Sequence, residues 1–196
     1  MKHLHRILGL GVFVALAIGM SSCFFSGLNA SLKEIEEVMD GKVFQIPKGK
    51  VTYDDGTTLS FEEYGKKQRV ENGTDVLLYL DKTYYSFNTQ EKTGTKYTFT
   101  SEYTYNTAYC FLEETWKLAN YDETITKSTE TIAGKKCTVY TDSDDNSKNG
   151  GWERISFVMN DIKATSFTTD VASDAFTAPA SPEYTITDMT DSAQYE

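Results

Sequence analysis

Six segments between residues 42 and 105 alternate apolar and polar residues with a period of two: KVFQIPKGKVTY, TTLSFEEYG, KKQRVEN, DVLLYL, TYYSFN and TKYTFTSEYTY. Such alternation marks strands that bury one face. DDG, NGT, DK and EKTG separate them, and these are sequences that reverse a chain in a few residues. The pattern predicts a meander of antiparallel strands. Pro47 predicts an edge or a break in its strand, because proline donates no ladder bond. Tyr97, Phe99, Tyr103 and Tyr105 fall on one face. DVLLYL is apolar on both faces, with Val76, Leu78 and Leu80 against Leu77 and Tyr79, as expected of a strand covered on both sides. The chain carries 13 Tyr and 11 Phe, a usage that suits sheet surfaces where the ring packs and the hydroxyl stays wet.

TAYCFLEETWKLAN, residues 107–120, breaks the period. Ala108, Leu112, Trp116 and Ala119 recur at helical spacing, which predicts a central helix lying as a lid on the sheet. A shorter helix of two to three turns is predicted from Ser31, with Ser31 as N-cap, Glu34 reaching back, and Gly41 as the stop. Its apolar stripe is Leu32, Ile35, Val38 and Met39. Beyond the central helix, DETITKSTETIAGKKCTVYT reads as a hairpin turning at Ala133 and Gly134. DSDDNSKNGG reads as a polar loop. WERISFVMN, with Ile155, Phe157 and Met159 on one face, pairs with IKATSFTTD through a turn at Asn160 and Asp161. A tail follows Pro179, with one edge strand in EYTIT.

The N-terminus is of a different kind. MKHLHR is a basic start, ILGLGVFVALAIGM is an apolar run of signal-peptide length, and Met20-Ser21-Ser22-Cys23 resembles a bacterial lipobox. The expected division is a signal peptide at 1–22, a tether at 23–30 beginning with lipid-modified Cys23, one domain at 31–180, and a tail at 181–196. Several acyl chains hold a membrane far better than one, since each buried CH₂ contributes ~0.8 kcal/mol. Removal of Lys2 and Arg6 takes the formal charge of −10 to about −12, which argues against nucleic acid, whose binding needs clustered Lys and Arg. His3 and His5 leave with the same segment. A mature domain without histidine excludes histidine triads and histidine-ligated zinc or copper.

Export places Cys110 and Cys137 in an oxidising compartment. They are expected to form a disulfide, worth ~3–4 kcal/mol in the chain-entropy model; the alternative is two buried free thiols. Asp142, Asp144, Asn146 and Glu153 approach an EF-hand pattern, but Ser147 stands where the sharp-turn glycine belongs and the flanks read as strands, so a solvated loop is expected and no metal. Glu62-Glu63 and Glu113-Glu114 are adjacent in sequence. Neighbours point to opposite faces of a strand or lie about 100° apart on a helix, so neither makes an acid–base pair. No cofactor and no enzyme activity are expected.

Two stretches carry a family resemblance. In GKKQRVENGTDVLLYLDKTYYSFNTQEKTG an arginine-bearing strand leads into two aromatic strands. In TIAGKKCTVY and WERISFVMNDIKATSFTTDVASDAFTAP a glycine turn, a tryptophan strand and a descent to Phe and Pro follow in order. This resembles the LolA/LppX-like lipoprotein-carrier superfamily, and in particular small lipoproteins of Bacteroidetes-type bacteria. The resemblance implies an α+β, mostly β fold: a strongly curved antiparallel half-barrel with helices plugging its concave face and a cavity for acyl chains between them. The groove residues are then Leu78, Tyr85, Phe87, Tyr97, Phe99, Trp116, Ile155 and Phe157. Arg69 stands where such proteins often carry a basic residue; the alternative, and the favoured reading, is an ordinary arginine on a strand surface. Unlike the soluble carrier, this chain is expected to be tethered at Cys23, in the outer membrane and facing the periplasm, which favours holding a lipid or other apolar ligand over shuttling it. The competing expectation is an envelope lipoprotein that binds a protein partner, with neither ligand nor catalysis.

Overall fold

The computed structural model describes residues 22–80, 82–99, 106–120, 124–160 and 162–190. The signal segment, the side chain of Cys23, and the expected positions of Tyr103, Tyr105 and Asp161 lie outside this description. The described residues are mostly β: twelve strands in one open, mixed sheet, with two helices. The strands are β1 (Gly49–Tyr53), β2 (Thr58–Glu62), β3 (Lys67–Asn72), β4 (Asp75–Leu80), β5 (Thr83–Asn88), β6 (Thr93–Thr98), β7 (Ile125–Ile132), β8 (Lys135–Asp142), β9 (Lys148–Trp152), β10 (Ile155–Met159), β11 (Ile162–Thr168) and β12 (Thr185–Asp188). Their order is β12-β6-β5-β4-β3-β2-β1-β11-β10-β9-β8-β7. Every pair is antiparallel except β12 beside β6.

The first six strands form the expected meander. Its first segment yields a strand only after Pro47, so β1 begins at Gly49. The β7–β8 turn falls at Ala133 and Gly134, with φ of 47° and 74°, the left-handed pair that a two-residue hairpin requires. β12 is the edge strand expected in EYTIT. The polar loop expected at 142–151 gives way to β9 from Lys148 onward. KNGGW is a strand because Gly150 and Gly151 let neighbouring backbones close in. A Cβ on Gly150 would stand 2.3 Å from the Thr138 carbonyl oxygen, and one on Gly151 would stand 2.2 Å from that of Ile155.

Register divides the side chains between two faces. Val51, Leu59, Phe61, Val70 and Leu77 share the first face and enter the main core with Phe157, Ile155, Val139 and Cys137. Val38, Val43 and Phe44 cover that core. Val76, Leu78 and Phe87 share the second face, where Phe176, Tyr184 and Ile186 pack over them. DVLLYL is therefore covered on both sides, as its composition predicts.

Both helices differ from expectation. The first, α1, runs Ser22–Met39, so it begins well before Ser31 and takes in the segment expected as the tether. Gly41, at φ 83°, stops it as expected. Its buried positions are Ser31 and Val38, while Leu32 and Met39 are exposed. The second, α2, spans only Glu113–Ala119. Residues 109–111 are drawn into extended pairing with the β9–β10 hairpin: Ser156 N donates to Tyr109 O, and Phe111 N to Arg154 O, both at 2.9 Å. Those bonds leave Ala108 and Cys110 outside the helix that their spacing predicts.

Cys110 and Cys137 are free thiols. Cys110 is bridged to Ile155 on β10, Ile155 faces Trp152 on β9, and β9 separates β10 from β8. Each sulfur donates instead to a carbonyl, Cys110 to Val43 at 3.2 Å and Cys137 to Lys135 at 3.6 Å. Burial pushes the Cys110 thiol up to about 12 and the Cys137 thiol up to about 11, so neither is a ready nucleophile.

Candidate functional site

The region beneath the central helix is the first candidate. α2 has no side-chain cap of its own, because Leu112 occupies the N-cap position. Glu34 of α1 supplies one. Its Oε2 accepts from Glu114 N at 3.0 Å, Thr115 N at 2.9 Å and Thr115 Oγ1 at 3.2 Å. Ser31 Oγ lies 3.0 Å from Thr115 Oγ1. The Ser31-x-x-Glu34 motif is thus real capping chemistry, but it caps the second helix rather than starting the first. Orphan N–H groups at a helix start favour a carboxylate. Glu34→Ala is expected to lose ~1–2 kcal/mol and to change Trp116 fluorescence as α2 lifts; Glu34→Gln, which keeps an acceptor, should lose less. Thermal melts followed at Trp116 check both.

On its inner side α2 meets Tyr140. The Trp116 and Tyr140 rings lie 4.8 Å apart, with Phe111 at 6.2 Å from each. Glu113 Oε1 accepts from the Tyr140 hydroxyl at 2.7 Å and Lys127 Nζ at 2.8 Å. Partial burial raises the Glu113 carboxyl, but those two donors outweigh it and hold it below the usual carboxylate range. Burial, then the bond to Glu113, pushes the Tyr140 phenol well up.

This arrangement corrects the expected roof. Tyr140 points to the opposite side of β8 from Cys137 and Val139, which join the main core. α2 therefore lies against the other side of β8 from that core. The hollow next to it holds about 190 Å³ and is lined by Glu34, Glu113, Lys136 and Arg154 among others. Aromatic rings fill the place expected of an oily cavity.

The eight expected groove residues are dispersed. Ile155 and Phe157 are fully buried in the main core, and Trp116 is on α2. Leu78, Tyr85 and Phe87 lie on the second face under the C-terminal segment. Tyr97 and Phe99 remain together, their rings 6.3 Å apart and nearly parallel.

Those two belong to a set that composition alone does not single out. Gln68, Tyr79, Tyr84 and Tyr97 are register partners across β3 to β6, so they form one cross-strand row on the first face. The Tyr79 and Tyr84 rings are 4.8 Å apart. Burial, then Tyr84, pushes the Tyr79 phenol up to about 12. Tyr79, Tyr84, Tyr97 and Phe99 are half-buried, and Leu77 on the same face joins them to the main core. At the inner end Gln68 is fully buried and donates from Nε2 to Gly65 O and Asn106 O at 2.8 and 2.7 Å, while its Oε1 has no partner. The signal for this row is in the sequence as tyrosines at matching positions of three hairpin strands, but it needs the register to be seen.

The residues that approach an EF-hand pattern are divided between two turns. Asp142 and Asp145 accept backbone N–H groups inside the β8–β9 turn at 2.9 and 2.8 Å, whereas Glu153 belongs to the next turn. Glu63 pairs with Lys67 at 2.7 Å, and Glu114 with Lys117. No described helix is long and apolar enough to cross a membrane.

No family model matches the chain, and no curated protein matches it. Among solved structures it is similar to an uncharacterized conserved protein from Thermus thermophilus, at 8% identity and a TM-score of 0.42, over 81% of this chain and 99% of that one.

Proposed function

We propose that this chain is a lipid-anchored bacterial envelope protein, held at Cys23, whose sheet is a curved half-barrel that binds an apolar, acyl-chain-like ligand on its aromatic row. The observation that carries this reading is the set Tyr79, Tyr84, Tyr97 and Phe99, half-buried and continuous with the main core. Tyrosine offers a flat apolar surface at small entropic cost, with a hydroxyl left for water. The curvature is supported by a contact between distant strands. Lys163 Nζ of β11 lies 3.8 Å from Glu130 Oε2 of β7, although three strands stand between them. A flat sheet would put those backbones roughly 19 Å apart. The resemblance to LolA/LppX-like carriers supports the same reading.

The ligand is assigned to the row rather than to the space beneath α2, because rings and charges occupy that space. Native mass spectrometry of the full chain released from membranes tests this. Wild type is expected to carry a non-covalent acyl ligand in near-stoichiometric amount. Tyr84→Ser with Tyr97→Ser should reduce it at least tenfold with little change in melting, and Cys23→Ser should free the chain from the membrane while keeping the ligand. A wild-type protein with no non-covalent ligand would sink the proposal.

A further inference from the structure

The second face of the sheet carries a different row. Lys50 on β1 faces Ser60 on β2, and Ser60 faces Arg69 on β3. Register partners stand on one face about 5 Å apart, so a hydroxyl lies between two cations. Ser60 is only 4% exposed. Among the described residues, neither its hydroxyl nor the Lys50 ammonium has a hydrogen-bond partner.

The C-terminal segment crosses above this row. Arg69 Nη1 donates to Ala175 O at 3.3 Å. Tyr184 meets Phe87 edge-on at 5.4 Å, and Lys92 holds Glu183 at 2.9 Å. Two pockets remain under the segment and meet at Arg69. One holds about 200 Å³ and is lined by Lys50, Ser60, Arg69 and Ala175 among others. The other holds about 330 Å³; Phe87, Ala178, Pro179 and Tyr184 form its apolar part, and Arg69, Asp174 and Glu183 line it as well. Three acids line these pockets: Glu71, in the first, is bonded to Arg69 at 2.8 Å; Glu183, in the second, is bonded to Lys92; and Asp174, in both, is exposed to water.

We propose that this groove binds a small amphiphile with an oxyanion head, the head on Lys50, Ser60 and Arg69 and a short apolar tail over Phe87 and Tyr184. A carboxylate or phosphate oxygen accepts from an ammonium, a guanidinium and a hydroxyl together, and charge-assisted bonds of this kind are the strong ones. It would give the Ser60 hydroxyl, which has no partner among the described residues, an acceptor to bond. The larger pocket falls at the lower end of the ~300–1,000 Å³ typical of small-molecule sites. This site lies on the opposite face from the aromatic row and stands independently of it.

Calorimetric titration of the full chain in lipid nanodiscs, with empty nanodiscs subtracted, tests the proposal. The probes are octanoate, octyl phosphate, octanol and inorganic phosphate, and the first two separate a carboxylate head from a phosphate head. At least one of those two should bind tenfold or more tighter than both octanol and inorganic phosphate. Lys50→Met and Ala178→Trp should each weaken it at least tenfold, with melting unchanged. Octanol binding as tightly as the charged probes would remove the row from the site. Inorganic phosphate binding as tightly would remove the apolar pocket. Loss of the same probe in Tyr84→Ser with Tyr97→Ser, but not in Lys50→Met, would place it on the other face and overturn the proposal. So would the absence of binding by any probe.

Discussion

Phe157→Ala is expected to destabilise the protein by ~3–5 kcal/mol, the largest effect of any single substitution considered. Phe157 is fully buried at the centre of β10. Its ring lies 6.2 Å from Trp152, edge-on, and 6.1 Å from Phe167. Lys135 Nζ sits 4.5 Å from the Trp152 ring and 4.8 Å from that of Phe167, closing the cluster from outside. Truncation removes the transfer energy of the ring and leaves a cavity that the flanking strands cannot collapse to fill. At this chain length each kcal/mol is worth ~2–4 °C, so melting should fall by roughly 6–20 °C. Phe157→Leu, which keeps most of the volume, should cost much less. The pair also tests a functional point. A residue lining an open hollow would lose little on truncation, so a loss below ~1 kcal/mol would return Phe157 to the ligand groove that its pattern suggests.

That ambiguity shows where the sequence stops being informative. Period-two alternation places Ile155 and Phe157 on one inward face, and the structure keeps them there. Alternation cannot say whether the facing side is a packed core or a cavity, because both need the same residues. The same limit explains the eight groove residues: the sheet buries side chains on both of its faces, and α2 sits against the other side of β8 from the main core. Turn chemistry is more legible. Ala133-Gly134 and Gly41 are stops whose φ values follow from local sterics. β9 is not legible, since KNGGW owes its strand to close backbones rather than to side chains. The central helix is overestimated for the opposite reason. Helical spacing from Ala108 is real, but pairing with the β9–β10 hairpin satisfies the backbone of 109–111 in extended form, and tertiary bonds override a weak local preference. Ser31 and Glu34 have the chemistry of capping residues in the sequence, and only their placement in space shows which helix they cap.

Arg154→Ala is expected to cost ~2–3 kcal/mol, and the reason joins the turn, the first helix and the acid limit of the fold. Glu153 and Arg154 make the two-residue turn between β9 and β10 at φ 51° and 64°, a geometry that usually selects Gly or Asn. Arg154 is held there by its side chain, only 8% exposed. Nη2 meets Glu37 Oε2 of α1 at 2.7 Å, and Nη1 donates to Lys42 O at 3.3 Å. Its Nε is buried without a partner, so the site is not fully satisfied. Breaking a fully buried ion pair costs ~3–5 kcal/mol; Glu37 is 30% exposed and can recover some solvation, which lowers the figure. Arg154→Gly separates backbone from side chain. It loses the same contacts but relieves a left-handed residue of ~1 kcal/mol, so it should be the milder change. The hydrogen bond from Arg154, ahead of the other nearby charges, holds the Glu37 carboxyl below the usual carboxylate range. A depressed carboxyl contributes stability above its unfolded value of ~4.3 and loses it as pH falls through the folded value. Wild type and Arg154→Ala should therefore differ most near neutrality and converge in acid. Urea midpoints at pH 7 and pH 3 measure this, and an equal gap at both would mean that the side chain stabilises through packing and its bond to Lys42 O, with the pair to Glu37 contributing nothing.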